Sequence, residues 1–138
     1  MTLGYWGSDD VVGQPLSHTC PYQVECLTCV EACCIPWHQC DRILEAICRH
    51  TQQTEELLCI VRCERIHQRL QQFLVWLSRK FGRQVEQGQL IELRLTHQEL
   101  AEAIGTSRVT VTRLLKQLER EKFISRLHRY LIVLHDHL

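Results

Sequence analysis

Residues 95–115 read Leu95-Thr96-His97-Gln98-Glu99-Leu100-Ala101-Glu102-Ala103-Ile104-Gly105-Thr106-Ser107-Arg108-Val109-Thr110-Val111-Thr112-Arg113-Leu114-Leu115. Two helices joined by a tight turn fit this stretch. Thr96 has the side chain to cap the first helix, and Glu99 three residues on completes a capping box. Leu100, Ala103 and Ile104 recur at helical spacing and define a buried face. Gly105 stands where the chain must take a left-handed conformation to leave the helix. Thr106 or Ser107 then caps a second helix, whose apolar stripe is Val111, Leu114, Leu115 and Leu118. The opposite face carries Arg108, Thr110, Thr112, Arg113 and Lys116, side chains suited to base edges and phosphates. A DNA-binding helix-turn-helix with its recognition helix second has this pattern. The competing reading is an ordinary helical hairpin with a solvated basic face.

Downstream, Phe123–Leu127 and Tyr130–Leu134 read as a hairpin around His128-Arg129, which adds a wing. Upstream, residues 89–95 alternate as a strand with Ile91, Leu93 and Leu95 on one face, and Gly82 ends the helix before it. Between Trp37 and Phe81 there is neither glycine nor proline. The spacing predicts one long helix, or two joined by a kink near His67. Leu44, Ile47, Thr51, Thr54, Leu58, Val61 and Arg65 fall on one narrow stripe of it, a seam for a second copy of the chain or for the protein's own N-terminal segment. Residues 70–77 supply Leu70, Phe73, Leu74, Trp76 and Leu77 as a core layer beneath the helix-turn-helix. Residues 1–37 are punctuated by Gly4, Gly7, Gly13, Pro15, Pro21 and Pro36. The runs between them, chiefly Tyr22–Ile35, read as two or three strands joined by turns, too few to close a barrel.

Charge divides the chain. Residues 1–64 hold three Lys/Arg against nine Asp/Glu, and residues 65–138 hold thirteen against seven, so the halves carry −6 and +6 within a net charge of zero. Only the second half is suited to a polyanion. No apolar run spans a bilayer and no basic region with an apolar core opens the chain, so a cytoplasmic protein without a membrane partner is expected. Nine cysteines in a reducing compartment argue against a disulfide framework. No nucleophile–base set, paired carboxylates or phosphate-binding glycine loop appears, so no enzyme is expected.

From about Arg69 to Leu134 the sequence resembles the DNA-binding domain of the catabolite activator/FNR family of bacterial transcription regulators. The residues that carry this are 95–115, Leu118-Glu119 and Phe123-Ile124-Ser125. Arg108–Leu115, with Trp76-Leu77 and Phe81-Gly82 upstream, is similar to the cyanobacterial members of global nitrogen regulator type. The resemblance implies a homodimer through the long helix, a two-fold symmetric double-stranded DNA site and RNA polymerase as a further partner. By position in the family motif, Arg108, Val109 and Arg113 read bases; Thr106, Ser107, Thr110 and Lys116 are expected mainly on phosphates, and Thr96 and Thr112 complete the DNA-binding set. Residues 10–16 and 25–37 look like the last strands of the family's effector-binding β-roll, whose first strands this sequence lacks. The cyclic-nucleotide cassette is altered: Gln14 follows Gly13, and no Arg or Lys precedes Arg42. A phosphate buried there would have no cationic partner, so cyclic-nucleotide binding is not expected.

The cysteines are concentrated in Cys26-x2-Cys29-x3-Cys33-Cys34, with Cys59 and Cys63 one turn apart on the helix. Such thiol density suits an iron–sulfur cluster or zinc, and the FNR branch is a cluster-sensing precedent. Cys26, Cys29, Cys33, Cys34, Cys59 and Cys63 are the candidate ligands. Inert core thiols and a disulfide switch are the alternatives. His97 reads as a surface residue. The sequence therefore predicts an α+β protein: a cysteine-rich β-roll remnant (1–37), a dimerisation helix (38–66) and a winged helix-turn-helix domain (67–138). Two functions fit it, a redox- or metal-responsive transcription regulator, and a truncated interaction module that dimerises with a full-length family member and modulates it.

Overall fold

The computed structural model describes residues 1–136. Its core forms around α2 (Ile66–Phe81), where Leu70, Phe73, Leu74, Trp76 and Leu77 are buried. This i, i+3, i+4, i+7 spacing makes one stripe of a helix apolar, and the stripe must be covered. Covering it are α3 (His97–Ile104) and α4 (Arg108–Arg120), which contribute Leu100, Ala103, Ile104, Val111, Leu114, Leu115 and Leu118. Strands close the other side. β1 (Gly82–Val85), β2 (Gly88–Ile91), β3 (Ile124–Leu127) and β4 (Leu131–His135) make an antiparallel sheet in the order β1-β2-β4-β3. Ile91 sits opposite Ile132, and Ile124 opposite Leu134, which directs Ile91, Ile124, Ile132 and Leu134 into the same core.

The long helical run is two helices. Trp37–Ile43 forms a 3-10 turn, α1 spans Leu44–Val61, and α2 begins at Ile66 after an extended Arg65. The break at residues 62–65 has a physical cause. On one continuous helix, the buried side chains of α1 (Leu57, Ile60) and those of α2 would lie about 120° apart. Both stripes reach one core only if the chain turns between them. Arg69 closes the turn: its Nε and Nη2 donate to the Cys63 carbonyl at 2.9 and 2.6 Å, and its Nη1 donates to the Ile104 carbonyl at 2.8 Å. One guanidinium thus satisfies carbonyls at the ends of two helices, which otherwise lack partners.

The sheet corrects the sequence reading in three places. Residues 1–37 contain no strand among the described residues, only a 3-10 turn at Gln14–Leu16. Residues 23–38 are exposed throughout. Alternating residues make a strand only where a neighbour takes up their amides and carbonyls, and no strand pairs with this segment. Strand β1 is absent from the sequence reading. It follows α2 directly at an exposed sheet edge, so its residues carry little apolar signal. The strand expected over 89–95 ends at Ile91, although Leu93 and Leu95 beyond it are buried as the alternation required. The wing forms as expected, one residue later on its return strand, with His128 left-handed at φ 59 in the turn.

The first eleven residues are docked by side chains. Tyr5 is buried against Phe73, with ring centroids 5.9 Å apart, and Trp6 stacks on His50 of α1 at 4.1 Å. Asp10 pairs with Lys80 of α2 at 2.7 Å, where its side chain is 7 % exposed and that of Lys80 14 %. Burial alone would raise the Asp10 pKa, but the Gly7 amide, Lys80 and Gln53 hold it below the ordinary carboxylate value. Among the described residues no helix is long and apolar enough to cross a membrane.

Two expectations test this packing. Gly88 has φ +140, and a Cβ there would run into the Leu134 carbonyl of β4. Gly88→Ala should therefore cost at least about 1–3 kcal/mol from backbone strain alone, read as a lower urea midpoint. Tyr5 supplies the second. Burial, with Glu99 nearby, pushes its phenol up to about 12. Because the folded value is raised, the stability its burial gives is complete below about pH 10, the unfolded value, and is lost as pH rises through about 12. A phenolate titration followed at 295 nm should show one late step that is missing in Tyr5→Phe. A loss of amplitude in Tyr5→Phe that falls instead at the ordinary phenol step near pH 10 would place Tyr5 in water.

Candidate nucleic-acid interface

The two helices of the motif are fixed locally before they meet anything else. Thr96 Oγ1 accepts from the Glu99 amide at 3.1 Å, and the Glu99 carboxylate accepts from the Thr96 amide at 2.6 Å, a complete capping box. Gly105 at φ 71 ends α3, and the amides of Gly105 and Thr106 both reach the Ala101 carbonyl. Ser107 is the cap of α4: its Oγ accepts from the Thr110 amide at 3.1 Å and lies 2.8 Å from Thr110 Oγ1. These polar side chains are first of all the stops and starts of helices. Thr96, Ser107 and Thr110 reach a phosphate only with whatever hydrogen-bonding capacity capping leaves them.

On α4 the inward stripe is Val111, Leu114, Leu115 and Leu118, and the outward face displays Arg108, Val109, Arg113 and Lys116 around a shallow groove that Thr112 also lines. The heads of Arg108, Arg113 and Lys116 form no ion pair among the described residues. Val109 is 74 % exposed between them. Three unneutralised cations with an apolar methyl pair in their midst can offer donors to guanine or phosphate and a contact for a thymine methyl.

Thr112 is placed otherwise than the sequence suggested. Its hydroxyl lies 2.7 Å from His97 Nδ1 and 3.0 Å from the Arg108 carbonyl. With the hydroxyl proton donated to that carbonyl, Nδ1 of His97 donates to Thr112, and the side chain is tied between α3 and α4. His97 is therefore half-buried at the helix junction and not a free surface residue. Burial pushes its pKa down, helped by the positive charges of Arg126 and Arg108. Thr106 is half-buried in the turn. The wing is pinned to α4 by Arg126, which grips Glu119 through two bonds of 2.8 and 2.7 Å. That pair raises the Arg126 pKa further. At the wing tip Leu127, Arg129 and Tyr130 are exposed.

The thiols are dispersed. All nine cysteines are free, none is buried, and Cys26, Cys29, Cys33, Cys34 and Cys59 are exposed. Cys63 is half-buried, with its sulfur 3.9 Å from the Arg65 carbonyl and 3.8 Å from Gln68 Oε1. No three His, Cys, Asp or Glu side chains among the described residues are grouped to hold a metal ion. The chain by itself brings no cysteine into the core.

Comparison with known proteins agrees with this geometry. Residues 68–137 match the family model of the Crp-like helix-turn-helix domain. Regulatory protein CysR of Synechococcus elongatus is 41% identical over 139 residues, which cover 96% of this chain and 66% of that protein. The global nitrogen regulator of a Nostoc species is 41% identical over 93 residues, 67% of this chain and 41% of that protein. Among solved structures, a CRP-family transcriptional regulator from Thermus thermophilus superposes with a TM-score of 0.61 at 20% identity, covering 74% of this chain and 51% of that one. A mutant of CooA from Carboxydothermus hydrogenoformans gives 0.57 at 26% identity, over 70% and 43% of the two chains. The chain thus spans 66% or less of the length of each of these proteins. With its winged helix-turn-helix and the match over residues 68–137, this chain belongs to the Crp-like helix-turn-helix family.

Proposed function

We propose that the chain is a sequence-specific DNA-binding transcription regulator that acts as a homodimer, with α4 in the major groove. The observation that carries the DNA reading is the outward face of α4, where Arg108, Arg113 and Lys116 stand unpaired around an exposed Val109. Desolvating that face without an anion would be costly, whereas a phosphate backbone both neutralises it and gains from counterion release. Arg113 takes guanine through a two-pronged contact and Val109 takes a thymine methyl.

Dimerisation rests on α1. Leu44 is 57 % exposed and Leu58 56 %, on the stripe that also carries Ile47, Thr51 and Thr54, while Leu57 and Ile60 on a different stripe, with Val61 beside them, face the chain's own core. A helix with two apolar stripes has one to spare for a partner helix. Two such chains present two α4 helices to a two-fold symmetric site, with half-sites one helical turn apart, about 10 bp.

Both parts are testable. Leu44→Asp with Leu58→Asp would place charges in the seam and should yield monomers in sedimentation velocity; a dimer of unchanged stability would refute the seam. Arg113→Ala should cost about 1–3 kcal/mol for the best site and relax selection at one base pair per half-site in competition binding. Specific complexes formed by the purified chain alone in a mobility-shift assay are the outcome that distinguishes a regulator from a module that modulates a longer family member.

A further inference from the structure

Three elements meet at Lys80, and none of them contains the recognition helix. Its ammonium bonds Asp10 at 2.7 Å, donates to Gln53 of α1, and lies 5.1 Å from the centre of the Trp6 ring, 5.6 Å from that of Trp76 and 5.7 Å from that of Phe81. Asp10 is itself held by the Gly7 amide at 2.8 Å and by Gln53 at 3.0 Å. The backbone of the same segment binds α1 twice more: the Asp9 carbonyl accepts from Arg49 at 2.5 Å, and the Val11 carbonyl lies 2.9 Å from His50 Nδ1. Trp6 stacks on the His50 ring at 8° between planes, and Trp76 of α2 donates to Glu56 of α1 at 2.8 Å.

The placement of these contacts along α1 matters. Its buried apolar residues, Leu57 and Ile60, lie in the last two turns, next to the break at 62–65. Arg49, His50, Gln53 and Glu56, further from the break, meet α2 through the polar and aromatic set around Lys80 and the segment at 5–11. A helix anchored at one end by two side chains swings about that end unless something further along it is tied. A desolvated ion pair inside aromatic rings is a tie with strict geometry, since its charges tolerate neither separation nor an apolar neighbour in exchange for their partner.

We propose that residues Tyr5–Val11 are a clasp, with Asp10 and Lys80 as its positioning residues, that fixes the angle between α1 and the DNA-binding domain. If α1 forms the dimer seam, as proposed above, that angle sets the distance between the two α4 helices and hence the half-site spacing the protein accepts. The clasp is thereby a selector of spacing, separate from the base selectivity of α4.

The test measures the angle in one chain and the spacing in the dimer. Spin labels carried by unnatural amino acids at the exposed positions Gln52 on α1 and Arg120 on α4 report their separation within one chain when labelled protein is diluted into unlabelled protein. Lys80→Met keeps the apolar stem and removes the charge, and the milder Asp10→Asn keeps the shape; Arg83→Ala, which removes an exposed pair with Glu92, is the control. Both clasp variants should broaden the distance distribution, and the control should not. On DNA they should bind an isolated half-site within about twofold of the parent. They should lose about tenfold or more on the best palindrome and flatten the preference among palindromes whose spacers differ by one or two base pairs. Distance distributions as narrow as the parent's in folded Asp10→Asn protein would overturn the clasp. A parent that sediments as a monomer would overturn the dimer reading instead, and the label distances would still decide the clasp.

Discussion

The stripe of α2 that runs through Leu70, Phe73, Leu74 and Leu77 has no exposed surface left, and four separate parts of the chain are needed to cover it. Helices α3 and α4 lie over it, the sheet lies under it, the end of α1 folds back to it, and Tyr5 reaches it from far upstream. Burying a side chain of this size gives roughly 1.5–3 kcal/mol, so a few such contacts hold each covering element to the layer, with polar ties such as Asp10–Lys80 and Arg126–Glu119 fixing their geometry. The order of events along the chain follows. Helix α1 must break before α2 because one straight helix would turn Leu57 and Ile60 away from the layer that α2 starts. The recognition helix, in turn, is rigid because its whole inner stripe is part of this layer.

How much of this is legible in the sequence varies with the range of the interaction that decides it. The helix-turn-helix is legible almost to the residue because Thr96, Glu99, Gly105 and Ser107 act within three or four positions of themselves. The same is true of the apolar stripes of α2 and α4. Strand β1 is not legible, since its only requirement is a neighbour, β2, and its exposed residues need no pattern. The N-terminal strands are suggested by alternation in Tyr22–Ile35, which joins none of the strands of the sheet and stays largely exposed. His97 reads as a surface residue because its partner, Thr112, lies fifteen residues away on another helix. Tyr5, Trp6 and Asp10 give no periodic signal of any kind; their partners lie about forty to seventy residues downstream.

The cysteines separate composition from geometry. Their number and spacing suggest a site, and the fold of one chain leaves seven of the nine exposed and none buried. Exposed thiols are available to oxidants and to partners in a way that core thiols are not. Six of the nine precede α1, two lie on it, and Cys63 lies in the break after it.

Arg69 narrows what the chain can change. Its three bonds go to two carbonyls on different helices, Cys63 beyond the end of α1 and Ile104 at the end of α3, so the side chain must present several N–H groups in a plane at once. A guanidinium has that shape and an ammonium does not. Lysine, usually the mildest replacement for arginine, would carry the same charge here and still leave one helix end without its donor. The constraint lies in the planar fork of donors and its reach, and the positive charge by itself does not meet it.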